Sequence, residues 1–391
     1  MKNSNPFSTL FYKRTPSEPM QEIFRGCLVG GAVGDALGAA VEFDSLEVIQ
    51  RKYGASGIND YAVAYGRLGA ITDDTQMTLF TAEGVIRAYF RMSRRGLCNT
   101  QECLKRAYLR WYETQGYPVV NSEYEREMVI SGWLIQQQGL FATRAPGNTC
   151  LSALGFWNAN KKHQNNSKGC GAVMRVAPIG LFFSSLHLRG DDNGNMLDES
   201  HCADQCYDMA VESSALTHHH KTSDDASAAF AIMIYYLALG HELDSALQLA
   251  LQMLEERQAN NETTDALKLA CMLANDDTPM TMAIQQLGEG WIAEEALAIA
   301  VYCALKTNNF NDGMIASVNH SGDSDSTGSI AGQLMGIMYG YSNIPTRFLA
   351  DLELKALIIE VADDVANAPD WPMGSETNQE YIDMWQKYPP N

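Results

Sequence analysis

The sequence predicts an all-α fold, and three observations predict it. Apolar residues recur at three- and four-residue intervals through six long segments. Alternating strand patterns between turn signals are scarce. Two segments carry glycine at every fourth position, a spacing that becomes one continuous face only on a helix.

Residues 1–20 contain Pro6, Pro16 and Pro19, which disfavour a long regular helix, so they are read as a separate arm. The body is expected to run from 21 to 391. Its first helix is marked by Gly26, Gly30, Gly34 and Gly38. Residues 60–65 give the best short strand candidate. Helices are then expected over 71–90, 223–239, 243–254, 292–305, 326–341 and 349–366. Loops are marked at 158–171, 190–195 and 308–323 by clusters of Gly, Asn, Asp and Ser. None of them reads as a Gly/Ser linker, so the helices are assigned to one body.

Composition narrows the function. The chain has 391 residues, 46% hydrophobic and 19% charged, with a net charge of −19. That is enough apolar material for a large core and excludes a wholly disordered chain. The acidic balance argues against a general nucleic-acid binder, whose affinity comes from Lys and Arg on phosphates. An anionic substrate would require a local positive charge, which a bound cation supplies. The nine cysteines are scattered without a CxxC pair, so neither a disulfide framework nor a zinc ribbon is indicated. No continuous apolar stretch opens the chain, and the longest apolar run, 226–239, is shorter than the ~20 residues that span a bilayer. A reduced cytoplasmic setting, away from membranes, is the expectation.

The glycine stripes require a reason. Each Gly costs roughly 0.8–1 kcal/mol against Ala in a helix interior. Gly26, Gly30, Gly34 and Gly38 form one stripe, and Gly328, Gly332, Gly336 and Gly340 the other. Close backbone approach between two central helices is that reason, and Arg25 and Asp35 argue against a membrane span.

Acidic clusters border both stripes. The first is Thr72-Asp73-Asp74-Thr75, the second the run His320-Ser-Gly-Asp323-Ser-Asp325-Ser326-Thr-Gly328. Each has a capping reading, since Thr and Asp favour helix starts. Asp323 and Asp325 also suit a calcium-type loop, but the late Glu of that pattern is missing. Together the clusters supply four carboxylates with hydroxyls, a hard-oxygen set that selects Mg²⁺ or Mn²⁺. Two such ions, about 3.5–4 Å apart, would fit that donor count. The stretch Lys168-Gly169-Cys170-Gly171 reads separately as a phosphate cradle, because glycines admit close approach and amides at a helix start attract anions. Among Leu216-Thr217-His218-His219-His220, adjacent histidines point apart, so a zinc cluster is not expected.

The chain resembles the ADP-ribosylglycohydrolase family. Four stretches carry the resemblance in order: RGCLVGGAVGDALGAAVEF (25–43), ITDDTQMTLFTAEG (71–84), KGCGAVMRVAPIGLFF (168–183) and NHSGDSDSTGSIAGQLMG (319–336). Weaker support comes from 288–300 and 349–364. The resemblance implies a single all-α domain around a binuclear site holding two Mg²⁺ or Mn²⁺ ions. Thr72, Asp73 and Asp74 would be ligands from one helix start, and Asp323, Asp325 and Ser326 from the other. Residues 168–171 would receive the diphosphate and distal ribose, although many relatives have Asn where Lys168 stands. His218 matches a histidine near the ligand, while His219 and His220 are expected at the surface. Glu42 matches a glutamate near the reacting ribose in some branches, and its alternative is a solvated helix-end acid. A carboxylate among Asp73, Asp74 and Glu42 would accept a proton during hydrolysis.

The form HSGDSDSTG looks most like the arginine-specific branch, with ADP-ribosyl-serine and poly-ADP-ribose as alternatives. An ADP-ribosylated protein would be the substrate. Some relatives are immunity proteins against ADP-ribosyltransferase toxins, and the arm, with Phe7, Phe11 and Tyr12 beside Lys13 and Arg14, suits insertion into a toxin cleft. A binding protein that only occludes a toxin, or a relative that keeps the fold without this activity, are the competing classes.

Overall fold

The computed structural model describes residues 20–120, 126–190, 196–259, 261–371 and 379–390. Except for Met20, the arm lies outside the described residues. Among them the chain forms 18 α-helices and five short 3-10 turns, with no β-strand. The expected strand at 60–65 is not formed. Ala64 pairs only with Arg67, because Tyr65 and Gly66 both take left-handed backbone angles and turn the chain at once.

The helices that position the site are α1 (Met20–Gly38), α2 (Asp73–Arg95), α3 (Thr100–Thr114), α4 (Lys221–Ala238), α5 (Ala293–Lys306), α6 (Ser324–Tyr339) and α7 (Lys355–Asn367). The expected helices at 71–90, 223–239, 243–254, 292–305 and 326–341 thus form with small shifts at their ends. The one expected over 349–366 is broken. Thr346–Asp351 and α7 are separated at Leu352–Leu354, where Leu354 takes φ 53°. The break lets the Glu353 N–H reach the Gly69 carbonyl at 3.0 Å, and its buried carboxylate accepts the Ile71 N–H at 3.2 Å. Helical periodicity continues through a site where this tertiary contact wins.

The two glycine stripes meet. A Cβ on Gly34 would lie 1.9 Å from the Gly328 carbonyl oxygen, and one on Gly332 would lie 2.1 Å from that of Gly30. Gly26 likewise faces Gly336, so α1 and α6 run antiparallel with backbone against backbone. This register brings the end of α1 beside the start of α6, where Gly38 faces Ser324. The turn after Gly38 therefore delivers Glu42 to the acidic start of α6. Around this pair, Phe24, Phe80, Trp111, Phe230 and Phe310 are fully buried in one core. No helix among the described residues is long and apolar enough to cross a membrane.

Candidate active site

The start of α2 is fixed by side chains from three other segments. Asp35, in the last turn of α1, accepts the Thr72 and Thr75 backbone N–H groups at 3.0 and 3.1 Å, and also the Thr75 hydroxyl. The Thr72 hydroxyl caps the helix by accepting from the Asp74 N–H at 3.3 Å. Arg144 donates to the Ile71 carbonyl at 2.8 Å and pairs with Glu353. Since Thr72 supplies the cap, capping does not account for the side chains of Asp73 and Asp74. Asp73 accepts the Gly147 N–H at 3.1 Å, and Asp74 Oδ1, fully buried, has no hydrogen-bond partner.

The start of α6 is built differently. Asp323 is the N-cap, and the Ser326 N–H is shared between Asp323 Oδ1 at 3.3 Å and Asp325 Oδ1 at 2.9 Å. The Asp323 N–H donates to the Glu289 carbonyl at 2.8 Å, which binds this loop to the segment before α5. The Ser326 hydroxyl then donates to Asp74 Oδ2 at 3.4 Å. That contact joins two clusters lying some 250 residues apart in the chain. Glu42, Asp323 and Asp325 complete the arrangement, offering oxygens that all lie within 4.8 Å of one another. Glu42 is 7% exposed, so the alternative of a solvated helix-end acid does not hold.

The electrostatics are those of acids buried together. Burial, then repulsion from Asp323 and Asp73, pushes Glu42 up to about 9. Burial pushes Asp73 up to about 8, with Asp35 and Asp323 adding to it. Asp74 and Asp325 are raised well above the carboxylate range by the same causes. Among the described residues, none of Asp35, Glu42, Asp73, Asp74, Asp323 or Asp325 belongs to an ion pair with Lys, Arg or His. Buried, convergent oxygen donors with unpartnered atoms on Glu42 and Asp74 are the donor set that a hard divalent cation requires. Thr72, Asp73, Asp74, Asp323, Asp325 and Ser326, with Glu42 at the edge, could hold such ions.

The 168–171 stretch borders the acids but does not form the simple amide cradle its glycines suggest. It leads into the 3-10 turn Val173–Arg175 rather than directly into an α-helix. The Cys170 N–H is taken by the Trp291 carbonyl at 3.2 Å, while the Lys168 carbonyl accepts from Ala293 at 2.8 Å. The Cys170 thiol donates to Asp323 Oδ2 at 2.8 Å. The Lys168 amine is paired with Glu294 and, at 3.1 Å, with Glu262. Gly169 and Gly171 face His218: a Cβ on either would lie 3.4 Å from its imidazole ring. His218 is buried and bonded through Nδ1 to the Thr217 hydroxyl at 2.9 Å. Burial, with the Arg175 guanidinium nearby, lowers it to about 3, so the ring is neutral. His219 and His220 are half-buried rather than at the surface, since each accepts a backbone N–H, from Asn165 and Thr222 respectively.

Several residues at the site carry no motif of their own. Glu353, Arg144 and Gly147 act on the start of α2 from segments far away in the chain. Asp35 did carry a signal, as the one acid in the stretch 26–38 of otherwise small and apolar residues. Phe43 and Trp291, 71% and 39% exposed, stack at 5.9 Å beside Glu42 and mark the rim.

The chain is similar to known proteins over most of its length. The family described as ADP-ribosylglycohydrolase matches residues 16–373. An "ADP-ribosyl-[dinitrogen reductase] glycohydrolase" of Rhodospirillum rubrum is 24% identical, over 84% of this chain and 90% of its own. An "ADP-ribosylarginine hydrolase Tri1" of Serratia proteamaculans is 26% identical, over 87% of this chain and 78% of its own. A solved structure titled "ADP-ribosylglycohydrolase-related protein complex" shares the fold, with a TM-score of 0.62 at 23% identity, covering 90% of this chain and 99% of that one.

Proposed function

The chain belongs to the ADP-ribosylglycohydrolase family, and we propose that it is a metal-dependent hydrolase releasing ADP-ribose from ADP-ribosyl-arginine on modified proteins. The observation that carries this reading is the Ser326–Asp74 contact, which joins two acidic helix starts into one buried donor set. When bound by Thr72, Asp73, Asp74, Asp323, Asp325 and Ser326, two Mg²⁺ or Mn²⁺ ions would supply Lewis acidity and positive charge beside an anionic substrate.

The chain's own groups account for the rest. Hydrolysis breaks the N-glycosidic bond at ribose C1″ with oxocarbenium character, and a water oxygen takes the place of the guanidine. A carboxylate must accept that water's proton, and the leaving guanidine must gain one. The unpartnered Oε2 of Glu42, within the trio, supports Glu42 in the first task, with Asp73 and Asp74 close enough to share it. Gly169 and Gly171, which lie against neutral His218 without side chains of their own, support this stretch with Cys170 as the contact for the diphosphate and distal ribose. Lys168 would act there only after leaving Glu294. The name of the Serratia relative and the HSGDSDSTG run support arginine as the acceptor. Serine-linked ADP-ribose and poly-ADP-ribose are the alternatives.

The test is to incubate the protein with ADP-ribosyl-arginine, ADP-ribosyl-serine and poly-ADP-ribose substrates, with Mg²⁺ and with chelator. Release from arginine should be fastest and should stop in chelator. Faster release from serine would overturn the acceptor, and full activity in chelator would overturn the metal.

A second reading concerns residues 1–20, which carry a net charge of +2 in a chain of −19 and present Phe7, Phe11 and Tyr12 between those charges. We propose that this arm binds an ADP-ribosyltransferase toxin while the body reverses its product, as an immunity protein would. Deleting 1–20 should then weaken binding to a cognate transferase and leave hydrolysis intact. Unchanged affinity would remove the arm from the proposal.

A further inference from the structure

Away from the acids, two thiols stand at the start of α3. The sulfurs of Cys98 and Cys103 are 3.6 Å apart, and both residues are free thiols. Cys98 lies in the loop before the helix. Cys103 lies in its first turn, where its N–H donates to the carbonyl of the N-cap Asn99 at 3.3 Å. Cys103 is buried, whereas Cys98 is partly exposed and lines an apolar cavity of about 280 Å³ with Tyr89, Met92, Phe182 and Leu186. The cavity gives a small oxidant a route to Cys98, with the Cys103 sulfur in contact behind it.

The surroundings favour a thiolate on this pair. Cys103 is held below the usual thiol range by the hydrogen bond from Cys98, which with Arg91, Arg106 and Arg110 outweighs the opposing effect of burial. Its place near a helix N-terminus acts in the same direction. Cys98 is pushed up instead, by its hydrogen bond to Cys103, by burial and by Glu212, so the thiolate of the pair belongs to Cys103. The remaining cysteines have no partly exposed thiol in contact with a second sulfur. Cys27, Cys150, Cys202, Cys206, Cys271 and Cys303 are buried, and Cys170 is kept protonated by burial and by its bond to Asp323.

We propose that Cys98 and Cys103 form a redox-active dithiol that a peroxide closes to a disulfide through the adjoining cavity. The thiolate sulfur attacks one peroxide oxygen, the O–O bond breaks, and hydroxide leaves, giving a sulfenic acid. The second thiol then displaces that oxygen as water, and the S–S bond forms. Overall, two thiols are oxidised and one hydrogen peroxide is reduced to two waters. A disulfide bond is about 2.05 Å, so the sulfurs must approach from contact distance. The bridge would tie the exposed loop at Leu97 and Cys98 to α3. In a compartment that keeps thiols reduced, such a bond is transient and senses oxidant.

The test uses the full, reduced chain, treated with equimolar hydrogen peroxide, quenched by alkylation and digested with trypsin. Cleavage after Arg95 and Lys105 leaves both cysteines in one peptide, 96–105. That peptide should lose about two mass units, escape alkylation, and recover both thiols with dithiothreitol. Its oxidation should be at least about tenfold faster than that of any other cysteine. In Cys98→Ser and in Cys103→Ser the two-unit loss should vanish while the circular dichroism spectrum is unchanged. The proposal fails if peptide 96–105 stays alkylatable, if it gains oxygen without losing hydrogen, or if another cysteine reacts first.

Discussion

Asp35 accepts the backbone N–H of Thr72 at 3.0 Å, so a carboxylate buried in a glycine-striped helix sets where the helix of Asp73 and Asp74 begins. The same side chain holds the Thr75 N–H and hydroxyl. Hydrogen bonds to a charged acceptor are worth about 1.5–3 kcal/mol each when the donors would otherwise be left buried. Asp35→Ala should therefore lower unfolding stability by several kcal/mol and reduce ADP-ribose release further than the loss of folded protein explains. Asp35→Asn should lie between the two. Urea midpoints and activity per folded molecule would show this. Wild-type values for the alanine variant would remove Asp35 from any positioning role.

The α1–α6 contact gives a second expectation. Ala at position 34 would place its Cβ 1.9 Å from the Gly328 carbonyl, a backbone atom that cannot rotate away. Overpacking of this kind costs roughly 1–3 kcal/mol or more. Gly155→Ala is the control, since its Cβ would meet only the end of the Tyr112 side chain at 3.1 Å and would gain helix propensity. Thermal melts should place Gly34→Ala well below wild type and Gly155→Ala close to it. Equal melting temperatures would mean that the stripes do not pack at backbone distance.

How much of this was legible in the sequence follows from the kind of interaction involved. The glycine stripes and the acids at 72–75 and 323–326 are local patterns whose spacing already implies one face or one helix start. Helix ends were legible where a cap defined them. The break at Leu352–Leu354 was not, because Glu353 satisfies groups near residue 70 and no local rule announces such a partner. The same holds for Arg144 and Gly147. The tie of Lys168 to Glu294 was equally hidden, since a lysine beside glycines reads as a phosphate contact until its ion partner appears.

The acid cluster predicts an unusual pH dependence. Glu42 and Asp73 take protons near 9 and 8 in the folded chain, against about 4 when unfolded. Between those values the folded state binds more protons than the unfolded one, so stability falls as pH rises. In chelator, the urea midpoint should drop from pH 5 to pH 8. Mg²⁺ should restore it at pH 8, because a ligand bound only by the folded chain stabilises it by mass action. Asp73→Ala or Asp325→Ala should flatten the fall, abolish the Mg²⁺ effect and end ADP-ribose release while the chain stays folded. A midpoint in chelator that climbs between pH 5 and 8, or a Mg²⁺ effect that survives both substitutions, would count against the site.

Glu353 offers the sharpest separation between folding and function. Its carboxylate is 4% exposed and holds Arg144 at 2.9 Å, Arg67 at 2.7 Å and the Ile71 N–H at 3.2 Å. Arg144 is itself nearly buried, so neutralising Glu353 leaves a guanidinium without its counter-charge. Breaking one side of a buried pair costs about 3–5 kcal/mol, whereas replacing both sides by apolar groups is often neutral. Glu353→Gln should thus be strongly destabilising, and Glu353→Leu combined with Arg144→Met should recover much of that loss. The double variant still lacks the acceptor of the Ile71 N–H and the donor to the Ile71 carbonyl, one residue before Thr72. Its stability should return while its Mg²⁺ response and ADP-ribose release stay impaired. Recovery of all three together would show that the ion pair only holds the fold; recovery of stability alone would show that it also aims the start of the Asp73–Asp74 helix.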